Sequence, residues 1–258
     1  MSRTGKPLTS YMICTSPRSG STLLCRLLAA TGVAGKPESY FHTPSIDRWI
    51  EAYGIDSTAY ASDCDALRRI VAEALRQGRS GTDKFGLRMQ RGSFPYFMQQ
   101  LHALKPDLAS DGACIEAVFG PTLFIHLTRD NKLEQAISRV KAEQTGLWHL
   151  GSDGAEIERQ APHKDPVYDG AAIAKHMAEF EAFDAQWTDW FARTGIKPLT
   201  VRYMELSADP HGVLKRLLCK LDQDPGLAAR TEIPTEKLSD DVSGDWAARY
   251  IAECSSRN

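Results

Sequence analysis

Short apolar runs and longer amphipathic stretches alternate along the chain. The short runs are rich in β-branched residues and end at turn residues or charges, as buried strands do. They predict strands at 11–15, 84–89, 122–128 and 199–202. The longer stretches carry apolar residues every three or four positions. They predict helices at 21–31, 65–76, 94–104, 131–143, 170–191, 209–221 and 237–252.

This order of elements predicts an α/β fold. Strands that alternate with helices form a mainly parallel sheet with helices on its faces. A length of 258 residues lies within the range of one domain. We therefore expect residues 1–258 to form a single domain with a mainly parallel central sheet flanked by helices, residues 1–10 being loosely held. Residues 146–169 are rich in Gly, Pro and Asp and show little periodicity, so we expect a long loop there that acts as a lid or binding loop.

The charge balance narrows the set of partners. The chain has 31 Lys and Arg against 33 Asp and Glu, and its pI is about 6.4. Such a balance argues against a broad phosphate-backbone footprint, so we expect no nucleic-acid partner, although it leaves room for one small basic site. No apolar run reaches the ~18–20 residues of a membrane span. The first residues also lack the hydrophobic core of a signal peptide.

The cysteines give no sign of a metal site or a disulfide framework. All six are scattered along the chain, without CxxC pairs and without zinc-ligand spacing to histidines. We therefore expect reduced thiols in a cytoplasmic protein, and no bound metal.

The turn between the first predicted strand and the first helix is the strongest chemical signal. The sequence YMICTSPRSGSTLL places a Gly/Ser-rich loop between a buried strand and a helix that starts at Ser21. Such a turn directs backbone N–H groups and a helix N-terminus at one point, which suits a phosphate-like anion. Gly20 permits close approach of the backbone, and Arg18 adds a positive charge. Hydroxyl groups come from Ser19, Ser21 and Thr22.

A second cationic position follows the strand at 122–128. Arg129 stands directly after this strand, and the next helix carries Ser138. Ligands of open parallel sheets bind outside the carboxyl ends of the strands, so we expect Arg129 and Arg18 at the same edge. Two positive groups and two helix N-termini suit a ligand with separated phosphates. The Walker pattern GxxxxGK[ST] and the dinucleotide pattern GxGxxG are absent, which disfavours an ATP-dependent kinase and a Rossmann dehydrogenase.

These features resemble the sulfotransferase superfamily, and most closely its bacterial Stf0 family. The matching stretches are spread over most of the chain: YMICTSPRSGSTLLCRLLAATGVAGKPESYF, LTRDNKLEQAISRVKAEQTGLWH and the span from YDGAAIAKHM to YMELSADP. The resemblance implies a P-loop-like sulfotransferase architecture. It also implies 3′-phosphoadenylyl sulfate (PAPS) as the sulfuryl donor, with the desulfated nucleotide PAP as product and no metal.

The resemblance assigns roles to individual residues. Those matching the loop that takes the 5′-phosphosulfate are Arg18, Ser19, Gly20, Ser21 and Thr22. Arg18 is also implied in catalysis, and Arg129 and Ser138 match the pair that takes the 3′-phosphate. Residues 244–246 are loosely similar to a GDW element that closes over the cofactor in some sulfotransferases. A buried Trp246 is the simpler interpretation of that segment.

The candidate base stands where this chain departs from the family pattern. After the first helix the family reads G-x-P-x-E-[YF]-F, and its glutamate is proposed as the base for the acceptor hydroxyl. Here the stretch is GKPESYF, so Ser39 stands at that position and Glu38 one residue earlier. Neighbouring residues of an extended segment point in different directions, so the segment bends to present Glu38, another group serves, or the acceptor chemistry differs. Glu38 is our candidate catalytic base, with His149 and His163 as alternatives.

We therefore expect a sulfotransferase that moves a sulfuryl group from PAPS to a hydroxyl of a carbohydrate or glycolipid by direct in-line transfer. The runner-up is a PAP- or nucleotide-binding protein of the same fold with lost or altered transferase activity, and Ser39 motivates it. A nucleoside or nucleotide kinase that uses the same loop is disfavoured because the Walker lysine is absent. Contacts with the acceptor are expected from residues 36–43 and 146–169, and the resemblance is compatible with a homodimer.

Overall fold

The computed structural model describes residues 6–56, 58, 60–150, 156–233 and 241–256, without the side chains of 149, 150 and 156–158. Its strands are β1 (Ser10–Thr15), β2 (Phe85–Gln90), β3 (Thr122–Thr128), β4 (Leu147–Leu150), β5 (Glu156–Arg159) and β6 (Leu199–Arg202). Its helices are α1 (Ser21–Ala30), α2 (Ile46–Tyr53), α3 (Asp63–Arg79), α4 (Phe94–Leu104), α5 (Asp111–Phe119), α6 (Lys132–Thr145), α7 (Gly170–Thr194), α8 (Tyr203–Ala208), α9 (Pro210–Lys220) and α10 (Asp241–Ser255). A 3-10 helix, Pro225–Arg230, follows α9.

Four strands form one parallel sheet in the order β2-β1-β3-β6. In its register, Cys14 of β1 lies opposite Met89 of β2 and His126 of β3. Because the four strands run in the same direction, their carboxyl ends meet at one edge of the sheet. The sequence-based expectation of an α/β fold with a mainly parallel central sheet flanked by helices is confirmed.

Helices cover both faces of the sheet, and every residue of β1 is buried. Met12 and Cys14 pack on one face in a cluster that includes Trp187 of α7. Tyr11 and Ile13 pack on the other face with leucines of α1 and α9. Since both faces of β1 are covered, the strand reads as a continuous apolar run and not as an alternating pattern.

The structure differs from the sequence-based prediction where elements are short. Part of the loop expected at 146–169 forms β4 and β5, which pair in antiparallel fashion. Sequence reasoning also missed α2, α5 and α8, which have 8, 9 and 6 residues. Helices of this length complete too few turns to display a clear period, and tertiary packing decides them.

The chain near its beginning is tied to the sheet from Leu8 onward. Lys84 Nζ donates to the Leu8 carbonyl at 2.7 Å. The Thr9 carbonyl accepts from the N–H of Phe85 at 2.9 Å, and the Thr9 N–H donates to the Pro121 carbonyl at 3.0 Å. Half of the segment that we expected to be loose, residues 1–5, lies outside the described residues.

Candidate active site

Hydrogen bonds of buried side chains hold the turn between β1 and α1 in place. Gln135 of α6 is fully buried and donates to the Ser16 hydroxyl at 3.0 Å and to the Pro17 carbonyl at 2.6 Å. The Ser19 and Thr15 hydroxyl oxygens are 2.5 Å apart. The protein's own contacts thus hold the loop in place, so that little ordering cost falls on binding.

The loop backbone has a positive φ at two positions, Arg18 and Gly20. Arg18 has a φ of 61°, in the left-handed region that non-glycine residues seldom occupy. Gly20 has a φ of 86°, and a Cβ at this position would lie 2.7 Å from Cδ2 of Tyr203. Only glycine fits there without a shift of Tyr203. Strained backbone of this kind persists where the surrounding structure holds it, and it is concentrated at ligand sites.

A cleft of about 1210 Å³ opens at the carboxyl edge of the sheet. Its walls come from the β1–α1 loop, the end of β2, α6, β4 and α8. The basic side chains on its walls are Arg18, Arg88, Arg129, Arg139 and Lys141. Glu38 and Glu134 are the acidic ones among the described residues. Five cations against two carboxylates favour an anionic ligand.

The structure brings nearly all of the predicted site residues to this cleft. Those on its walls are Arg18, Gly20, Ser21, Thr22, Glu38, Arg129 and Ser138. Ser19 is fully buried, and its hydroxyl faces Thr15 beneath the loop. What Ser19 can offer a ligand is therefore its main chain.

The Arg18 side chain crosses the cleft. Its Nε donates to Oγ of Ser138 at 2.9 Å, and its Nη1 donates to the carbonyl of Trp148 in β4 at 2.6 Å. The guanidinium carbon lies 6.0 Å from the centroid of the Trp148 ring. One hydrogen bond thus joins Arg18, predicted to bind the 5′-phosphosulfate, to Ser138, predicted to bind the 3′-phosphate.

Arg129 is a buried cation at the end of β3, 7% exposed. Its Nη2 pairs with Glu134 at 2.8 Å, and its Nη1 donates to the Arg18 carbonyl at 3.3 Å. Its guanidinium carbon lies 4.4 Å from the centroid of the Tyr203 ring. Among the described residues, Nε of Arg129 is buried and finds no hydrogen-bond partner. An unpaired buried N–H costs free energy, and a bound anion would relieve that cost.

Glu38 and Ser39 lie beside the end of β2. The N–H of Arg88 donates to the Glu38 carbonyl at 3.0 Å, and Glu38 forms a bridge with Leu87. The Ser39 hydroxyl accepts from Nε of Arg88 at 2.7 Å. The Glu38 carboxylate lies 4.0 Å from Nη2 of Arg88, and its side chain is 48% exposed. Both residues line the cleft, so a carboxylate reaches it although Ser39 holds the family's glutamate position.

Other titratable groups near this wall are weaker candidates for a base. Burial raises the pKa of Tyr40 well above its usual range. Burial also raises the pKa of Cys25 to about 12, so its thiol stays protonated near neutral pH. His163 lines the cleft with 69% of its side chain exposed. The side chain of His149 lies outside the described residues.

The segment resembling a GDW element packs as part of the core. Trp246 is 7% exposed and joins an apolar cluster with Ile137, Ile173 and Phe180. Its ring meets the Tyr168 ring edge-on, with centroids 5.9 Å apart. These contacts agree with the simpler interpretation of a buried tryptophan.

Sequence reasoning missed four residues that shape the cleft or its loop. These are Arg88, Gln135, Trp148 and Tyr203. A signal existed for three of them. Arg88 is a charge inside the apolar strand β2, and Tyr203 directly follows β6, as Arg129 follows β3. Gln135 shares a helix face with Ser138, three positions later. No comparable signal marks Trp148, because its segment lacks a readable period.

Metal-ligand clusters and membrane-spanning helices are absent from the described ranges. Within them, no group of three or more His, Cys, Asp or Glu side chains is arranged to hold a metal ion. Nor does any helix in those ranges have the length and apolarity needed to cross a membrane. All six cysteines are described, and none forms a disulfide.

Fold and cleft together define an α/β protein with a predominantly cationic cleft at the carboxyl edge of its parallel sheet. The family model for Stf0 sulphotransferases matches residues 10–253. The chain therefore belongs to the Stf0 sulfotransferase family, as its motifs predicted, and is a transferase of the sulfotransferase class.

Two relatives and one solved structure are similar to the chain over most of its length. Trehalose 2-sulfotransferase of Mycobacterium tuberculosis strain Erdman is 30% identical over 98% of this chain and 97% of the relative. Trehalose 2-sulfotransferase of Mycolicibacterium smegmatis is 29% identical over 94% of each chain. The sulfotransferase domain of the Synechococcus PCC 7002 olefin synthase is 16% identical, with a TM-score of 0.45 over 96% of this chain and 97% of that one.

Proposed function

We propose that this chain transfers a sulfuryl group from PAPS to a hydroxyl group of a carbohydrate or glycolipid by direct in-line transfer. One observation carries the proposal: the Arg18 loop and the pair Arg129 and Ser138 line a single, predominantly cationic cleft. PAPS carries a phosphosulfate at one end of its ribose and a phosphate at another. A nucleotide of this kind matches two cationic subsites in one cleft.

The residues of the cleft fit such a donor. Within the part of the chain that the structure describes, the buried Nε of Arg129 is a donor without an acceptor, which a phosphate oxygen would supply. Small-molecule sites commonly measure about 300–1,000 Å³. A cleft of about 1210 Å³ thus has room for an acceptor beside the nucleotide.

The proposed chemistry relies on positioning and on charge stabilisation, as phosphoryl transfer does. When bound, PAPS supplies the sulfuryl group and a phosphate leaving group. Arg18 and the N–H groups of its loop stabilise the negative charge that develops on the leaving oxygen. The Glu38 carboxylate accepts the proton of the attacking hydroxyl.

An uncharged sugar is the acceptor class that we favour. Both curated relatives are named for transfer to trehalose. The β2 side of the cleft offers polar groups that suit hydroxyls, among them Glu38, Ser39 and Gln90. Oε1 of Gln90 is buried and finds no hydrogen-bond donor among the described residues, so a sugar hydroxyl could satisfy it.

A PAP-binding protein without transferase activity is the second candidate. Ser39, at the position of the family's glutamate, is the observation that favours it. Incubation with PAPS and a panel of saccharides and glycolipids separates the two proposals. Sulfated product supports the transferase, whereas saturable PAP binding without product on any acceptor supports the binding protein.

Arg129→Ala is expected to weaken PAP binding by about 10- to 100-fold, because a hydrogen bond to a charged group contributes about 1.5–3 kcal/mol. Arg18→Ala is expected to act in the same direction. Isothermal calorimetry with PAP measures both. The matched control is Arg202→Ala: Arg202 also ends a strand and pairs with an aspartate, Asp130, but it is 66% exposed and lies outside the cleft.

Unchanged PAP affinity in both Arg18→Ala and Arg129→Ala would reject the donor assignment. The same titration with ATP and Mg²⁺ tests the kinase alternative, since a kinase would bind ATP in preference to PAP. Equal losses of PAP affinity in Arg202→Ala and Arg129→Ala would show that only the net charge of the protein matters for PAP binding.

Glu134→Gln is expected to strengthen PAP binding by about two- to fivefold. The Glu134 carboxylate, half exposed, pairs with the guanidinium of Arg129 and competes with an incoming phosphate. Arg129 is buried, but the Glu134 carboxylate is half exposed and screened by water, so the expected gain corresponds to only about 0.4–1 kcal/mol. Calorimetry with PAP measures it, and Glu73→Gln, in the Glu73–Arg76 pair outside the cleft, is the control. Weaker binding in Glu134→Gln would mean that Glu134 supports the site.

A further inference from the structure

We propose that Arg88 is a positioning residue for sulfuryl transfer. Its side chain joins the start of α1, at the end of the donor loop (the β1–α1 loop, residues 16–20), to the segment that carries Glu38 and Ser39. The inference rests on the proposed function, because it takes Thr22 as part of the donor side of the cleft and Glu38 as part of the acceptor side. Arg88 would then set the distance and angle between the two reacting groups.

Three side chains meet the guanidinium of Arg88. Nη1 donates to Oγ1 of Thr22 at 3.0 Å, and Nε donates to Oγ of Ser39 at 2.7 Å. Nη2 lies 4.0 Å from Oε2 of Glu38. The Arg88 side chain is 19% exposed, so water and salt screen these contacts less than they would on the surface. All four residues line the same cleft.

The main chain of Arg88 gives this arrangement a rigid base. β2 pairs with β1, and Arg88 lies opposite Ile13 in that ladder. Its N–H also donates to the Glu38 carbonyl at 3.0 Å. The segment with Glu38 and Ser39 is thus attached to the sheet through its backbone and through the guanidinium. Because Thr22 belongs to α1, the same side chain reaches the helix that follows the donor loop.

Arginine suits this role and lysine does not. The guanidinium presents five N–H donors in a rigid planar fork, so two hydroxyls are bound along different edges while the positive charge stays near the carboxylate. A lysine at position 88 would keep the charge but not both hydrogen bonds in this geometry. In-line transfer depends strongly on alignment, and a misplacement of about 1 Å can lower the rate about 10²-fold.

The test compares Arg88→Lys and Arg88→Met with the wild type and with Arg193→Met, an exposed arginine that pairs with Asp189 outside the cleft. Calorimetry measures PAP affinity. PAP release from PAPS in the presence of trehalose measures turnover, and it counts transfer to sugar and to water alike. Amide hydrogen exchange measures the protection of residues 36–41.

In both Arg88 variants we expect turnover to fall about 10²-fold, PAP affinity to be retained, and exchange at residues 36–41 to increase. Arg193→Met is expected to match the wild type in all three measurements. Ser39→Ala alone is expected to lower turnover. In the Arg88→Lys background the same change should add little, since residues that act through one interaction are not additive.

If Arg88→Lys turns over at the wild-type rate, only the positive charge at position 88 matters, and the proposal is overturned. Parallel losses of turnover and PAP affinity would make Arg88 a donor ligand and overturn it as well. So would unchanged exchange at residues 36–41 in Arg88→Met, a measurement that needs no activity. Failure of the wild type to bind PAP would instead overturn the proposed function, and the two failures are thereby distinguished.

Discussion

Glu38→Gln is expected to lower the rate of sulfuryl transfer by about 10²–10⁴-fold while leaving PAP affinity unchanged. The amide keeps the size of the side chain and its place on the cleft wall, but it cannot accept the proton of the acceptor hydroxyl. The Glu38 backbone is paired with β2 through Leu87 and Arg88, so the substitution leaves the segment attached. Radiolabelled PAPS with a saccharide panel measures the rate, and calorimetry measures PAP affinity.

The control for Glu38→Gln is Glu51→Gln, at an exposed glutamate of α2 that pairs with Arg48 outside the cleft. It is expected to retain full turnover. Wild-type turnover in Glu38→Gln would exclude Glu38 as the base. His163→Ala would then be the next variant to measure, because His163 also lines the cleft.

The meeting of Arg18 and Arg129 in one cleft could be predicted from the sequence because its signals are local. The loop motif lies in one uninterrupted stretch between β1 and α1, and Arg129 follows directly on the strongest apolar run. A parallel sheet brings the carboxyl ends of its strands to one edge, so two separate stretches imply one site. The cleft that contains both Arg18 and Arg129 agrees with that argument.

The β2 side of the cleft, with Glu38 and Ser39, could not be predicted in the same way. Whether Glu38 or Ser39 faces the cleft depends on how residues 36–39 lie against β2, a contact between segments about fifty positions apart. The partners of Arg88 depend on the same contact. β4 is set by its pairing with β5 and not by a period of its own. Sequence patterns report local period and turn chemistry, and they carry little information on such pairings.

The ion pair between Asp184 of α7 and Lys132 of α6 is another contact that the sequence pattern does not reveal. Helical spacing in α7 places Phe183 and Asp184 equally close to the core face and does not decide between them. In the structure, Oδ2 of Asp184 accepts from Lys132 Nζ at 2.5 Å and also from the Thr128 hydroxyl. Lys132 Nζ donates to the Arg129 carbonyl at 2.5 Å. Asp184 thereby ties α7 to the end of β3 at the point where Arg129 enters the cleft.

Asp184→Ala is expected to lower the free energy of unfolding by about 3–5 kcal/mol, because it leaves the mostly buried ammonium of Lys132 without its counter-ion. Urea denaturation measures the loss. The matched control is Asp189→Ala on the same helix: that carboxylate pairs with Arg193, both side chains are more than 60% exposed, and the expected loss is at most about 1 kcal/mol.

Because Lys132 holds the Arg129 carbonyl, Asp184→Ala is also expected to weaken PAP binding under conditions in which the variant is folded. Equal losses of stability in the two variants would mean that the Asp184–Lys132 pair contributes no more than a surface pair, and that Arg129 is positioned by the sheet alone.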